Sequence, residues 1–136
     1  MRPTVFIDTS ILLRHFLNDD PVRSPKATVF LKRIEEGQVV ATLSDTVVFE
    51  TVFNLERRQG QAKRKIQQDL LPLLELPGVH LPGKRQLREV FDLYVERNIP
   101  FADAHHAVVM RRLKISQIAS FDKHFDRIPG INRVSL

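Results

Sequence analysis

Four acidic residues, Asp8, Glu50, Asp103 and Asp122, stand beside apolar sequence rather than in solvated charge runs. Carboxylates in such settings either cap helix starts or gather to hold a cation. Asp8 closes the β-type run Thr4-Val5-Phe6-Ile7 and leads through Thr9-Ser10 into Ile11-Leu12-Leu13. A strand that delivers an acid at its carboxyl end places it where α/β folds carry their sites. Thr9 and Ser10 offer hydroxyls to a metal-bound water or, equally, to the cap of the following helix, a role Asp8 can share.

Glu50 lies in a predicted helix whose polar residues Thr46, Glu50, Asn54 and Arg57 form one narrow stripe between apolar flanks. On a helix that apolar, the stripe faces a pocket or a partner, or else it is a plain solvent strip with a Glu50 to Asn54 contact. Asp103 sits in the first turn of a predicted helix, where the macrodipole favours a carboxylate. It has no Lys or Arg three or four residues away, so any cation must come from elsewhere. On the same helix, His106 shares a face with Val109 and Met110 and is predicted to pack or to support the site. His105, Arg111 and Arg112 point the other way. Asp122 follows the run Ile118-Ala119-Ser120, again at a strand's carboxyl end, with an N-cap for Lys123–Phe125 as its plainer role and Asp126 as a weaker competitor.

The Coulomb cost favours a metal if these acids converge. Two carboxylates about 5 Å apart repel by roughly 3 kcal/mol at an effective dielectric near 20, and four acids make six such pairs. A marginally stable domain cannot carry that without a cation. All-oxygen ligands select Mg²⁺ or Mn²⁺, ions that activate water and neutralise phosphate in phosphodiester hydrolysis. The five histidines show no zinc-ligand pair backed by an acid motif.

The elements that must position these acids follow from pattern and punctuation. Strands are predicted at 4–7, 39–42, 79–81 and 117–120, with a last one near 132–135. Helices are predicted at 10–17, at 25–36 with Ser24 as cap and Pro25 in first position, and from a Ser44 or Asp45 cap to Arg58. Three more are predicted at 61–75, at 84–97, and from Asn98 and Pro100 to Leu113. Strands alternating with helices give an α/β fold, a three-layer sandwich with a mostly parallel sheet.

At 136 residues and 43% hydrophobic content the chain is expected to be a single domain over residues 1–136. The formal charge is +5, which suits a polyanionic partner without specifying one. The absence of cysteine removes disulfides, thiolate nucleophiles and Cys-ligated zinc, and fits a reducing cytoplasm. Asp8 interrupts the first apolar run far short of a signal or spanning segment, so a soluble, unexported protein with no membrane partner is expected. Arg57, Arg58, Lys63, Arg64 and Lys65 form the densest basic cluster, a candidate contact for RNA backbone or a solvated helix end.

With these residues in place the sequence resembles the PIN-domain ribonucleases, and among them the toxins of VapBC toxin and antitoxin pairs. The resemblance runs nearly end to end: Phe6-Ile7-Asp8-Thr9-Ser10, then Val48-Phe49-Glu50-Thr51 inside the helix after the second strand. It continues in Phe101-Ala102-Asp103-Ala104 and in Ser120-Phe121-Asp122-Lys123-His124-Phe125, where Ser120 stands at a position that is often Thr. The resemblance implies an α/β/α sandwich, Mg²⁺ or Mn²⁺ held by Asp8, Glu50, Asp103 and Asp122, and endonucleolytic cleavage of structured RNA. It assigns supporting hydroxyls to Ser10 and Ser120. It also implies a homodimer and capture by a small antitoxin, for which Phe49 and Phe53 are the interface candidates that the sequence offers.

Two other functions share parts of this pattern. A nuclease of RNA maturation or decay would carry the same acids, usually with targeting domains. A non-catalytic binding module on the same fold predicts eroded acids, whereas all four are present. A phospho-acceptor receiver domain would want a second acid beside Asp8 and a late-strand Lys, and fits poorly.

Overall fold

The computed structural model describes residues 2–136. Among the described residues the fold is mixed α/β with six α-helices and five strands, and every strand pairing is parallel. It divides into two compact units, Met1–Lys84 and Arg85–Leu136.

The first unit runs β1 (Thr4–Phe6), α1 (Thr9–Leu17), α2 (Arg23–Glu35), β2 (Val40–Thr42), α3 (Asp45–Phe53), a π-helical turn (Asn54–Arg58), α4 (Lys63–Leu74) and β3 (Val79–His80). The strands lie in the order β1-β2-β3, with Val5 opposite Ala41 and Ala41 opposite Val79. Parallel neighbours require crossovers, and helices supply them. Ile7, Leu12, Ala41, Val48, Leu55, Ile66 and Leu70 are buried, as are Ala27, Leu31 and Ile34, which recur at helical spacing along α2.

The start of α2 differs from expectation. Asp20, not Ser24, takes the free amides, accepting from Val22 at 2.9 Å and Arg23 at 2.8 Å, so the helix begins at Arg23. Ser24 is fully buried and its hydroxyl accepts the Asp20 N–H at 3.2 Å. Pro25 then falls within the first turn, where its missing N–H costs nothing. Gly37, at φ 77°, ends the helix, its N–H bonding Ile34 O while Gln38 N–H bonds Arg33 O. That doubly bonded stop needs a left-handed residue at the position Gly37 holds.

The second unit contains α5 (Leu87–Glu96), α6 (Phe101–Leu113), β4 (Gln117–Ile118), a 3-10 turn (Lys123–Arg127) and β5 (Asn132–Arg133), preceded in sequence by a 3-10 turn at Lys84–Gln86. β4 and β5 pair with Gln117 opposite Asn132. The observed strands are shorter than predicted, and the predicted helix at 84–97 opens with this tighter turn. Phe91, Tyr94 and Phe101 are buried and pack edge to face, with the Phe101 centroid 4.9 Å from Phe91 and 5.3 Å from Tyr94. α6 ends on Lys114 at φ 59°, a left-handed stop of the Gly37 kind made by a residue with a Cβ.

Candidate metal centre

In the first unit the end of β1 carries Asp8 directly into α1. Asp8 caps that helix: its Oδ2 accepts the Ser10 N–H at 3.2 Å and the Ser10 hydroxyl at 2.8 Å. The Ser10 hydroxyl, followed by the Ser10 amide, holds the Asp8 carboxyl below the usual aspartate range, so it stays ionised. Capping and ligation are compatible, because both bonds fall on the same carboxylate oxygen.

Glu50 lies on the exposed stripe of α3, with Val47, Val48, Thr51 and Val52 buried on the opposite side. The predicted Asn54 contact exists, but it runs from the Asn54 amide to the Glu50 carbonyl at 2.8 Å and leaves the carboxylate uninvolved. The carboxylate instead accepts the Thr9 hydroxyl at 3.0 Å. Thr9 is buried and directly follows Asp8, so one residue ties the end of β1 to Glu50. Just beyond Glu50 the helix widens into the π turn, closed by Gln59 N–H on Asn54 O at 3.0 Å. Such widened turns recur at functional positions.

In the second unit Asp103 and Asp122 come together. Asp122 caps the 3-10 turn by accepting the His124 N–H on Oδ1 at 2.9 Å, while its own N–H donates to the Ser120 hydroxyl at 3.0 Å. Ser120 therefore fixes the backbone of Asp122, as Ser10 fixes the carboxylate of Asp8. The His124 ring joins the pair: Nδ1 lies 2.5 Å from Asp122 Oδ1 and 3.3 Å from Asp103 Oδ2. One donor atom from each of these three residues lies within 4.8 Å of the others.

Burial raises the Asp103 carboxyl above the usual range, helped by hydrogen bonding to Asp122 and by its charge. The His124 amide chiefly lowers Asp122. Two like-charged carboxylates at contact split in this way, the more enclosed one yielding its charge first. A cleft of about 540 Å³ opens beside them, lined from α6 by Asp103, His106, Val109 and Met110 and from the β4 side by residues including Ser120 and Asp122. His106 is exposed there rather than packed, and His105 is half-buried. Arg111 points away as predicted, pairing with Glu89 of α5 at 2.6 Å. Asp126 does not compete for the cap, because Arg133 holds it at 2.9 and 3.0 Å.

Two contributors carry little mark in the sequence. Thr9 reads there as a cap or a partner of water, and in the fold it bonds Glu50. For His124 the local signal is its place two residues after a capping aspartate, since the cap draws that residue's backbone onto the carboxylate.

The enclosed atoms Asp103 Oδ2 and His124 Nδ1 have no hydrogen-bond partner in acceptable geometry. Buried polar atoms are rarely left so unless a ligand completes them. With two carboxylates alongside, the donor set fits a divalent cation.

The basic cluster lies on the π turn and α4. Arg57, Arg58, Arg64 and Lys65 are exposed, and Lys65 pairs with Asp69 of the same helix at 2.5 Å. Phe53 is 55% exposed, while Phe49 is half-buried. Among the described residues no helix is long and apolar enough to cross a membrane.

The family model of the PIN domain matches residues 5–131. PIN domains are nuclease-type folds, generally metal-dependent, and RNA is the substrate the family suggests. No curated protein matches the chain significantly.

Proposed function

The chain belongs to the PIN-domain family, and from that premise we propose that it is an endoribonuclease dependent on Mg²⁺ or Mn²⁺, acting as the toxin of a type II toxin and antitoxin pair. The observation that carries the metal-dependent reading is the meeting of Asp103, Asp122 and His124, where the enclosed Asp103 Oδ2 and His124 Nδ1 lack a hydrogen bond of acceptable geometry. The family model matches residues 5–131, a span that carries Asp8, Glu50, Asp103 and Asp122, and this supports treating residues 1–136 as one functional domain.

A divalent cation bound there supplies charge neutralisation at the phosphodiester and activation of water. The chain's own residues prepare for it. Asp8, held ionised by Ser10, offers a fixed negative charge at the end of β1. Thr9 restrains the Glu50 carboxylate, which three rotatable bonds would otherwise leave free. Asp122 is fixed by its two bonds involving backbone amides, and a cation beside Asp103 would offset the burial that raises its carboxyl above the usual range. Arg57, Arg58, Lys63, Arg64 and Lys65 would bind the RNA backbone electrostatically.

Cleavage of a structured RNA with Mg²⁺, Mn²⁺ or chelator, by wild type and by Asp8→Asn and Glu50→Gln, tests the nuclease. Equal cleavage in chelator, or wild-type cleavage by Asp8→Asn in Mg²⁺, would sink the site assignment. Induced expression tests the toxin role. Growth arrest that Asp8→Asn abolishes, and that co-expression of a neighbouring short gene relieves, is expected, and harmless expression of an active nuclease refutes it.

A further inference from the structure

We propose that His124 is itself a metal ligand, binding through Nδ1 beside Asp103 and Asp122, and that this nitrogen tunes the site to Mn²⁺ over Mg²⁺. The inference rests on the metal-dependent reading above and specifies which ion that reading concerns.

The spacing of the donor atoms carries the argument. Around an octahedral ion with donors at about 2.1 Å, adjacent donors sit roughly 3 Å apart and opposite ones roughly 4.2 Å apart. His124 Nδ1 lies 3.3 Å from Asp103 Oδ2 and 2.5 Å from Asp122 Oδ1, and all three donors fall within 4.8 Å. The 3.3 Å separation is that of neighbours in one coordination shell, and the 2.5 Å ion-pair contact would have to open by about 0.5 Å to admit an ion. An imidazole whose only task was to brace a carboxylate would align Nδ1 with one oxygen. Here Nδ1 approaches two oxygens of different residues and aligns with neither, and it is enclosed.

The backbone that carries the ring is also held in place. The His124 backbone N–H bonds Asp122 Oδ1 at 2.9 Å, and the next residue, Phe125, is buried at 2% exposure. The His124 backbone therefore cannot shift without undoing the cap that positions Asp122. The chemical consequence follows from donor type. Mg²⁺ prefers oxygen and keeps its waters, whereas first-row ions accept imidazole readily and bind mixed nitrogen and oxygen sites more tightly. His106, the histidine that lines the cleft, is exposed and outside the donor group.

Pulsed electron paramagnetic resonance of the full-length protein loaded with Mn²⁺ tests the assignment, with calorimetric titration of Mn²⁺ and Mg²⁺ alongside. Wild type should show one imidazole nitrogen coupled to Mn²⁺. His124→Gln should lose that coupling, bind Mn²⁺ about tenfold more weakly and bind Mg²⁺ within about threefold of wild type. His106→Gln should retain the coupling, and circular dichroism checks that each variant folds. Bound Mn²⁺ without nitrogen coupling, or coupling that survives in His124→Gln, overturns the ligand role of His124 alone. An equal loss for both ions overturns the selectivity. Mn²⁺ binding that Asp103→Asn leaves unchanged overturns the metal site at Asp103 and this inference with it.

Discussion

The bond from Thr9 to Glu50 makes a prediction that can be followed to a number. Thr9→Val removes the hydroxyl at nearly constant volume, and because the donor disappears with its oxygen, no buried polar group is left unpaired at that residue. Glu50 is exposed and recovers water in place of the lost donor. The 3.0 Å bond should therefore be worth about 1 kcal/mol, an ordinary hydrogen bond's share and less than that of an enclosed bond to a charged group. For a chain of this length that is a fall in melting temperature of roughly 3–5 °C. A double-mutant cycle with Glu50→Ala, which leaves no acceptor for the hydroxyl, isolates the pair, and the expected coupling is about 0.5–1 kcal/mol in chelator. RNA cleavage by Thr9→Val should fall about tenfold, as commonly found when the group orienting a ligand is lost. Calorimetric or circular-dichroism melts of the four proteins give the coupling, and single-turnover cleavage gives the rate. Coupling indistinguishable from zero together with unaltered cleavage would mean that Thr9 neither holds Glu50 nor matters to the site.

The other expectations test the remaining acids, the basic cluster and a stop in the fold. Asp8→Ala should cost about 1 kcal/mol through the lost cap while Asp8→Asn costs far less, because Asn caps well; both should abolish cleavage, and equal melting temperatures for the two would contradict the capping geometry. Burial raises Asp103, so the native state retains its proton above the ordinary value of 3.8 and loses stability as the pH climbs from there to the raised value. Asp103→Asn should accordingly melt higher than wild type in chelator above that window, with the difference vanishing toward low pH. A first-turn aspartate acting only through the helix dipole would give the opposite sign. Mg²⁺ at ten times its dissociation constant should stabilise wild type by about 1.4 kcal/mol and Asp103→Asn by clearly less. Lys114→Gly should raise stability by up to about 1 kcal/mol in thermal melts, since a residue with a Cβ now holds the left-handed stop of α6, and a lower melting temperature would deny that strain. Neutralising Lys63, Arg64 and Lys65 together should flatten the salt dependence of RNA binding by the inactive Asp8→Asn protein, and an unchanged slope would leave that cluster a solvated surface.

The sequence alone determined the α/β class, the five strands and the order of helices, because strand and helix periods and Gly and Pro punctuation are local signals. It also determined Asp8 and Asp122 as acids at the ends of strand-forming runs, since the turn chemistry that fixes them lies within two residues of each. Helix starts were less legible. Asp20 displaced Ser24 as the residue that satisfies the first amides of α2, and a wide turn replaced the regular end of the Glu50 helix. Those outcomes depend on which bonds the packed chain can complete, and on how much side-chain freedom each bond costs. The partner of Glu50 was beyond sequence altogether, because Thr9 is 41 positions away and meets it only when α1 packs on α3. The same holds for the meeting of Asp103 with Asp122 and His124, whose separation along the chain carries no mark of contact. Only tertiary structure decides which carboxylate is enclosed enough to be pushed toward its neutral form and which stays ionised, because desolvation and charge repulsion depend on distance through space and on exclusion of water.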